Sequence, residues 1–303
     1  MTELSEKIFN EYQIRKSKKQ KDTFISLLKE YYPKLKIEES SGIFRIRNLI
    51  IGDIDNAKVV LTAHYDTCAV LPIPNLITPK NIFIFMLYQF LILFLIMGIA
   101  IFIEVLAMFA FGETAGAYAG IFAILFMSWW IIFGKANKHT ANDNTSGVIT
   151  LIEIMESMTD EQKEKTAFVF FDLEEAGLIG SAKFKKAHKE AMKDKLLINF
   201  DCVSDGDYIM LVENKLAYEE YDEQFKKAFV EKEGKIPLFE KSSSTIYPSD
   251  QANFKKSVAV ASLKKHKILG YYMDKIHTDK DRSFDEKNIS YINKSIRNFV
   301  DYM

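Results

Sequence analysis

Five segments of the chain place a residue able to bind a metal or move a proton beside an apolar run. Residues 59–63 (VVLTA) lead into His64-Tyr65-Asp66, residues 167–173 (AFVFFDL) into Glu174-Glu175, and 196–200 (LLINF) into Asp201. Ala141-Asn142-Asp143-Asn144 precedes a helical pattern that starts at Gly147, and Lys275-Ile276-His277-Thr278 follows the last apolar run. His64 and Asp66 are two apart, so on extended backbone they share a face, where Asp66 can orient the imidazole. Two imidazoles with several carboxylates suit zinc or a similar divalent ion. They exceed what one tetrahedral ion needs and point to a two-metal hydrolase. Singly each signal is ordinary: strand-end aspartates commonly cap helices and paired glutamates commonly open solvated ones. Their order and their shared position at strand ends set this group apart. His139, His188 and His266 lie in lysine-rich stretches and read as solvated.

Residues spread from His64 to His277 meet only if a scaffold carries them to one edge. The runs 167–172 and 196–200 are short and apolar throughout, as strands covered on both faces are, and 208–212 and 258–263 read alike. Helical patterns occupy 147–158, 180–193 and 217–233, with a closing helix at 286–302. Residues 1–37 combine Lys and Glu with Ile8, Phe9, Tyr12, Phe24, Leu27 and Leu28, an amphipathic helical pattern. Segments 42–51 and 57–63, separated by Gly52-Asp53-Ile54-Asp55-Asn56, are expected to pair as a hairpin. The alternation predicts an α/β fold: a mostly parallel twisted sheet with helices on both faces. In such sheets the ligand site lies beyond the carboxyl ends of the strands, where the five segments fall.

One stretch does not belong to that scaffold. Between positions 82 and 134 the chain carries two charges, Glu104 and Glu113. The run 82–103, interrupted only by Gln89 and Gly98, spans about 33 Å as helix, enough for a hydrocarbon core of about 30 Å. A second apolar run, 116–133, contains Trp129 and Trp130, the two tryptophans of the protein, and tryptophan favours the membrane interface. The expectation is a helical hairpin contacting the lipid bilayer through residues 82–133. It divides the chain into 1–80 and 136–303, two parts of one catalytic domain, and the insert 81–135. Lys80 precedes the hairpin and Lys135 and Lys138 follow it, whereas its loop offers only acids. The positive-inside bias therefore predicts a two-span protein of the cell membrane with its body in the cytoplasm. In a soluble fold, a hairpin apolar on every side would need another protein to cover it.

The whole chain, 303 residues with 40 Lys plus Arg against 41 Asp plus Glu, has a formal net charge of −1. No basic excess or stripe marks it as a nucleic-acid binder. Apolar residues at 48% and charged residues at 27% exclude wholesale disorder and low-complexity architecture. Two cysteines, Cys68 and Cys202, suit a reducing compartment better than a disulfide framework. Residues 1–8 are charged and offer no signal-peptide core.

The motifs VVLTAHYDT, ANDNTSGV, FFDLEEAGLIGS, INFDCV, YPSDQANF and IHTDKD, in that order, resemble the M28 family of co-catalytic zinc aminopeptidases. The resemblance runs from about residue 59 to 279 and is interrupted by the insert. It implies two zinc ions. His64, Asp143 and Asp201 would hold one; Glu175, His277 and a bridging Asp143 would hold the other. It also implies Glu174 as general base, Asp66 as the residue orienting His64, and a peptide substrate cleaved at its N-terminal bond. The chemistry is coherent, since paired zinc ions lower the pKa of a water and polarise the scissile carbonyl, while a carboxylate carries the proton to the leaving amine. Tyr247 falls where some relatives offer a phenol to the oxyanion. The chain departs from the pattern at Gln251, where the family often has His, which bears on the substrate pocket. It departs again between Asp66 and Asp143, which relatives bridge with a short loop. The insert thus separates two metal-site segments, which predicts an active site near the bilayer surface and membrane-associated peptides as substrates. Two other readings share the fold: a glutaminyl cyclase, typically with one zinc, and a receptor or scaffold that has lost its metals. Against the last, all five ligand positions, with Asp66 and Glu174, are present.

Overall fold

The computed structural model describes residues 1–40 and 45–303. The N-terminal segment forms two helices rather than one, α1 (Glu3–Glu11) and α2 (Lys18–Tyr31), the second opened by a capping box between Ser17 and Gln20. Lys36 and Ile37 are not helical; they begin β1 (Lys36–Ser40), which pairs antiparallel with β2 (Ile46–Ile51). Residues 42–44 of the expected strand lie outside the described residues. β3 (Val59–His64) leads to α3 (Ile82–Phe111) and α4 (Glu113–Phe133). Next come α5 (Gly147–Ser157), α6 (Asp160–Glu164), β4 (Thr166–Phe171), α7 (Ile179–Ala187) and β5 (Leu196–Phe200). The chain closes with β6 (Tyr208–Glu213), α8 (Lys215–Ala228), β7 (Ile236–Lys241), β8 (Ser257–His266), β9 (Gly270–Tyr272) and α9 (Glu286–Asp301).

The strands form one mixed sheet in the order β1-β2-β4-β3-β5-β8-β6-β7, with β9 on β8. Its centre, β4-β3-β5-β8, is parallel, and antiparallel partners flank it on both sides. The expected hairpin between the second and third strands does not form: β4 lies between β2 and β3, antiparallel to the first and parallel to the second. The turn after β2 instead carries the chain across the start of β4. Gly52 sits there at φ 95°, and a side chain would meet the Thr166 carbonyl at 3.0 Å, so the crossing needs glycine.

Helices α1, α2, α5, α8 and α9 cover one face of the sheet around Phe24, Ile149, Phe225 and Phe299. The Phe225 and Phe299 rings stack with centroids 4.1 Å apart. The other face packs Phe171, Phe184 and Phe254 beneath α7. Each such ring, withdrawn fully from water, contributes about 2–3 kcal/mol.

Helices α3 and α4 stand apart from this body. Both are long and apolar enough to cross a membrane, with mean hydropathies of 2.9 and 1.8, and only 6% and 17% of their apolar windows are buried. They touch chiefly each other. Gly116, Gly120 and Ala123 are the buried residues of α4, and a Cβ at Gly116 would lie 2.8 Å from Met108 and 2.9 Å from the Glu104 carbonyl. Small residues at four-residue spacing let two apolar helices approach closely. The chain returning from the hairpin is tied to the loop that follows β3. An isolated bridge joins Ala69 to Ala136, and the amides of Val70 and Asn137 donate to the Lys135 and Cys68 carbonyls.

Candidate metal centre

β3 ends in His64, which is 1% exposed. Its Nδ1 lies 3.1 Å from the Asp66 backbone carbonyl. A carbonyl only accepts, so Nδ1 carries a hydrogen and Nε2 is the nitrogen that faces the cavity. Nε2 is 3.4 Å from Asp143 Oδ1 and 3.6 Å from Asp201 Oδ1. The other oxygen of Asp143 turns the opposite way: Oδ2 is 3.1 Å from His277 Nε2, which is 3.3 Å from Glu175 Oε2. Asp143 therefore presents one oxygen to a His64–Asp201 group and the other to a His277–Glu175 group.

Backbone shape aims these side chains. Leu173, Cys202 and His277 adopt left-handed dihedrals at φ 54°, 57° and 63°, a conformation rare for non-glycine residues and frequent where a site imposes it. Asp143 sits in the wide turn Ala141–Ser146, whose helical path breaks at Asp143 and Asn144. The turn is pinned from two sides. The amides of Asn142 and Asp143 both donate to the Asp281 carboxylate at 2.9 Å. Asn144 Oδ1 accepts from the amides of Gly147 and Cys202, and Asn144 Nδ2 donates to the Phe200 carbonyl. The Asp66 carboxylate lies 3.7 Å from His64 Nδ1, but its hydrogen bonds go elsewhere: it accepts from the backbone amides of Glu174 at 3.0 Å and Glu175 at 3.3 Å. It thus holds the glutamate pair as well as facing the imidazole.

Burial opposes ionisation throughout this cluster. It pushes the Glu174 carboxyl well above the usual range and Glu175 to about 8, with His277 pulling Glu175 back. Burial also lifts Asp250 and Asp281 to about 7. Asp143 goes the other way: despite its burial, His277 and His64 hold it well below the usual range. Burial would lower His277, but Glu175 and Asp143 outweigh it and raise the ring to about 9. A cluster of this composition holds more negative charge than its two imidazoles offset, and a cation is its natural complement. Glu175 Oε1 and Asp201 Oδ1 are buried without a hydrogen-bond partner among the described residues. The donor set of imidazole and carboxylate, with these unsatisfied oxygens inside it, fits zinc. The Cys68 sulfur lies within 4.8 Å of ligand atoms of Glu175 and His277, and the Cys202 sulfur within 4.8 Å of those of Asp143 and Asp201. Burial pushes both thiols well above their usual range, which keeps them protonated.

The structure brings together every residue singled out in the sequence. His64, Asp143, Glu174, Glu175, Asp201, Tyr247 and His277 line one cavity of about 280 Å³, with Asp66 behind it. Tyr247 is buried and its phenol donates to the Asp201 carbonyl at 3.0 Å, so it braces the loop after β5. Sequence reasoning missed Asp281 and Arg15. Asp281 looks like one more acid of a charged loop. Arg15, in a basic stretch, is fully buried beneath the site, where its guanidinium donates to the Tyr12 and Tyr65 carbonyls and to Thr145 Oγ1. No local pattern distinguishes it from the other basic residues of that stretch.

An α/β body with imidazoles and carboxylates gathered at the parallel strand ends defines a metallohydrolase class of fold. The description "Peptidase family M28" matches residues 124–300, more than half of the chain, and the chain belongs to this metallopeptidase family. The matched region begins within α4, so β3 with His64 and Asp66 lies outside it. No curated protein matches the chain. Among solved structures it is similar to a Porphyromonas gingivalis glutaminyl cyclase (13% identity, covering 99% of this chain and 96% of that one, TM-score 0.60). It is also similar to a Zn-dependent exopeptidase from Parabacteroides distasonis (12%, 98% and 96%, TM-score 0.57). A third is the LapA aminopeptidase of Legionella pneumophila (14%, 98% and 69%, TM-score 0.56). These likenesses show a shared zinc-aminopeptidase-like fold.

Proposed function

We propose that the protein is a membrane-anchored aminopeptidase that uses two zinc ions. The observation carrying this reading is the split of Asp143, whose oxygens face His64 with Asp201 on one side and His277 with Glu175 on the other. Those five residues would hold the ions, with Asp143 shared. Bound zinc would lower the pKa of a water and polarise the scissile carbonyl. Glu174, lining the same cavity, takes the proton from the attacking water and delivers it to the leaving amine. Asp66 holds the backbone of Glu174 and Glu175 in place and keeps His64 in the ligating tautomer. Tyr247 acts through its hydrogen bond to the Asp201 carbonyl by fixing the loop that carries Asp201.

Residues 1–80 and 136–303 form the catalytic domain and 81–135 the anchor. The support for membrane insertion is that the hairpin is apolar and uncovered over both of its helices. Lys80, Lys135 and Lys138 at its roots favour a body on the cytoplasmic side. A second reading, cyclisation of N-terminal glutamine on the same ligands, has the similarity to the P. gingivalis glutaminyl cyclase fold on its side. One assay separates the two: a panel of N-terminally varied peptides incubated with the zinc-loaded protein in detergent. The aminopeptidase reading expects release of free amino acids, lost with chelator and with Glu174→Gln. Cyclised product from Gln peptides without amino-acid release would replace it.

A further inference from the structure

Between the hairpin and the body runs an apolar groove of about 390 Å³. Ile92, Ile96 and Ile99 of α3 form one wall, Met127 and Ile131 of α4 the other, and the loop 71–75 (LPIPN) the floor. The isoleucines recur at three- and four-residue spacing and so form one stripe. From Tyr88 to Ile99 the groove follows α3 for about 16 Å. One end adjoins the catalytic cavity: Asn75 and His277 line both. That end is also where the polar groups are. Gln89 is the one side-chain amide of α3; it and the Asn75 side chain are half-buried, and neither side-chain amide has a hydrogen-bond partner among the described residues. The Tyr88 hydroxyl, which also lines the groove, is already committed to the Pro74 carbonyl.

An unpartnered amide beside hydrocarbon is unfavourable, and polar side chains within spans commonly serve a ligand. A lipid acyl chain could fill the groove but would leave both amides unsatisfied. A peptide backbone leaving the bilayer for the active site would satisfy them, and its side chains would fill the apolar stripe. We propose that this groove binds the apolar segment following the scissile bond, so that the enzyme trims peptides whose N-terminal region lies in the membrane. This inference rests on the aminopeptidase reading and names its substrate class.

The test uses the full chain in nanodiscs of phosphatidylcholine and phosphatidylglycerol. A peptide with N-terminal Leu and an apolar run carrying photo-leucine at its fourth residue is crosslinked to zinc-loaded Glu174→Gln protein. Adducts on residues 92–99 and 127–131, suppressed by unlabelled apolar peptide but not by a Gly/Ser peptide of equal length, support the groove. Adducts confined to other surfaces overturn it, as does suppression by added lipid alone, which would make the occupant an acyl chain. In parallel, the ratio of kcat/KM for the apolar peptide over leucine amide is measured for wild type and Ile96→Trp. The ratio is expected to fall about tenfold in the variant, the equivalent of one lost apolar contact. If leucine amide is cleaved but the ratio is unchanged, the groove proposal fails and the aminopeptidase reading stands. If neither substrate is cleaved, the aminopeptidase reading fails, and the trimming proposed here fails with it.

Discussion

Glu174 and Glu175 are adjacent and both half-buried, yet their surroundings assign them different work. Glu175 has an oxygen 3.3 Å from His277, whereas Glu174 makes no ion pair among the described residues and stands free to take a proton. Substituting Glu174→Gln keeps the volume and removes the base. Turnover is expected to fall about 10³-fold with zinc content unchanged, as read by steady-state kinetics beside elemental analysis. Loss of zinc together with activity would instead make Glu174 a ligand. Asp66 offers a subtler case. Its carboxylate accepts from two backbone amides, and Asp66→Asn would set an NH₂ group against one of those donors. The glutamate pair would shift, with a loss of about 10- to 100-fold in zinc affinity or kcat. Chelator competition measures the first, and an unchanged zinc affinity with unchanged kcat would remove Asp66 from the machinery.

At the scale of elements, the site depends on how closely the turn before α5 approaches β5. A Cβ on Gly147 would fall on the Phe200 carbonyl oxygen and on Asn144 Oδ1, the two groups that lock the Asp143 turn. Gly147→Ala is therefore expected to destabilise the protein by about 2 kcal/mol, as overpacking does, and to weaken zinc binding as Asp143 is displaced. A thermal melt with and without zinc checks both. A melt that is unshifted would show that the turn tolerates the methyl. The centre of the fold was readable from sequence because buried parallel strands are unbroken apolar runs and their carboxyl ends face the ligand. VVLTAH, TAFVFF and LLINF are such runs, and the residues after them make the site. Strand order was not readable from local pattern. The turn 52–56 looks like a hairpin turn, but β4, more than a hundred residues later, is a parallel partner for β3 buried on both faces and takes the place beside it. β1 (KIEES), β7 (IPLFEK) and β9 (GYY) were missed because they are half-exposed and lack apolar periodicity. The glutamate-holding role of Asp66 escaped notice because backbone amides leave no mark in a sequence.

For the whole molecule, the buried acids make stability depend on pH. Glu213, at the end of β6, is fully buried with neither carboxylate oxygen hydrogen-bonded among the described residues. Burial, reinforced by Asp222, pushes its carboxyl from 4.5 to about 8. Between those values the folded protein retains a proton that the unfolded chain has released, so stability falls as pH rises through this window. Glu213→Gln is expected to raise Tm at pH 8.5 by roughly 2–4 °C and to change it far less at pH 5. Equal shifts at both pH values would mean that packing, not ionisation, is responsible.

On the membrane-anchored reading proposed above, the position of the hairpin also governs when the enzyme can exist. His64 and Asp66 precede the two apolar helices in the chain, and Asp143, Glu175, Asp201 and His277 follow them. During synthesis the first histidine emerges before either span. On the proposed reading, it meets its partners only after the second span has returned the chain to the face it left. A nascent chain halted with one helix inserted has its ligands on opposite sides of the bilayer and can cleave nothing. Correct insertion is then a licensing step for proteolysis, built into the order of the polypeptide rather than supplied by a removable propeptide.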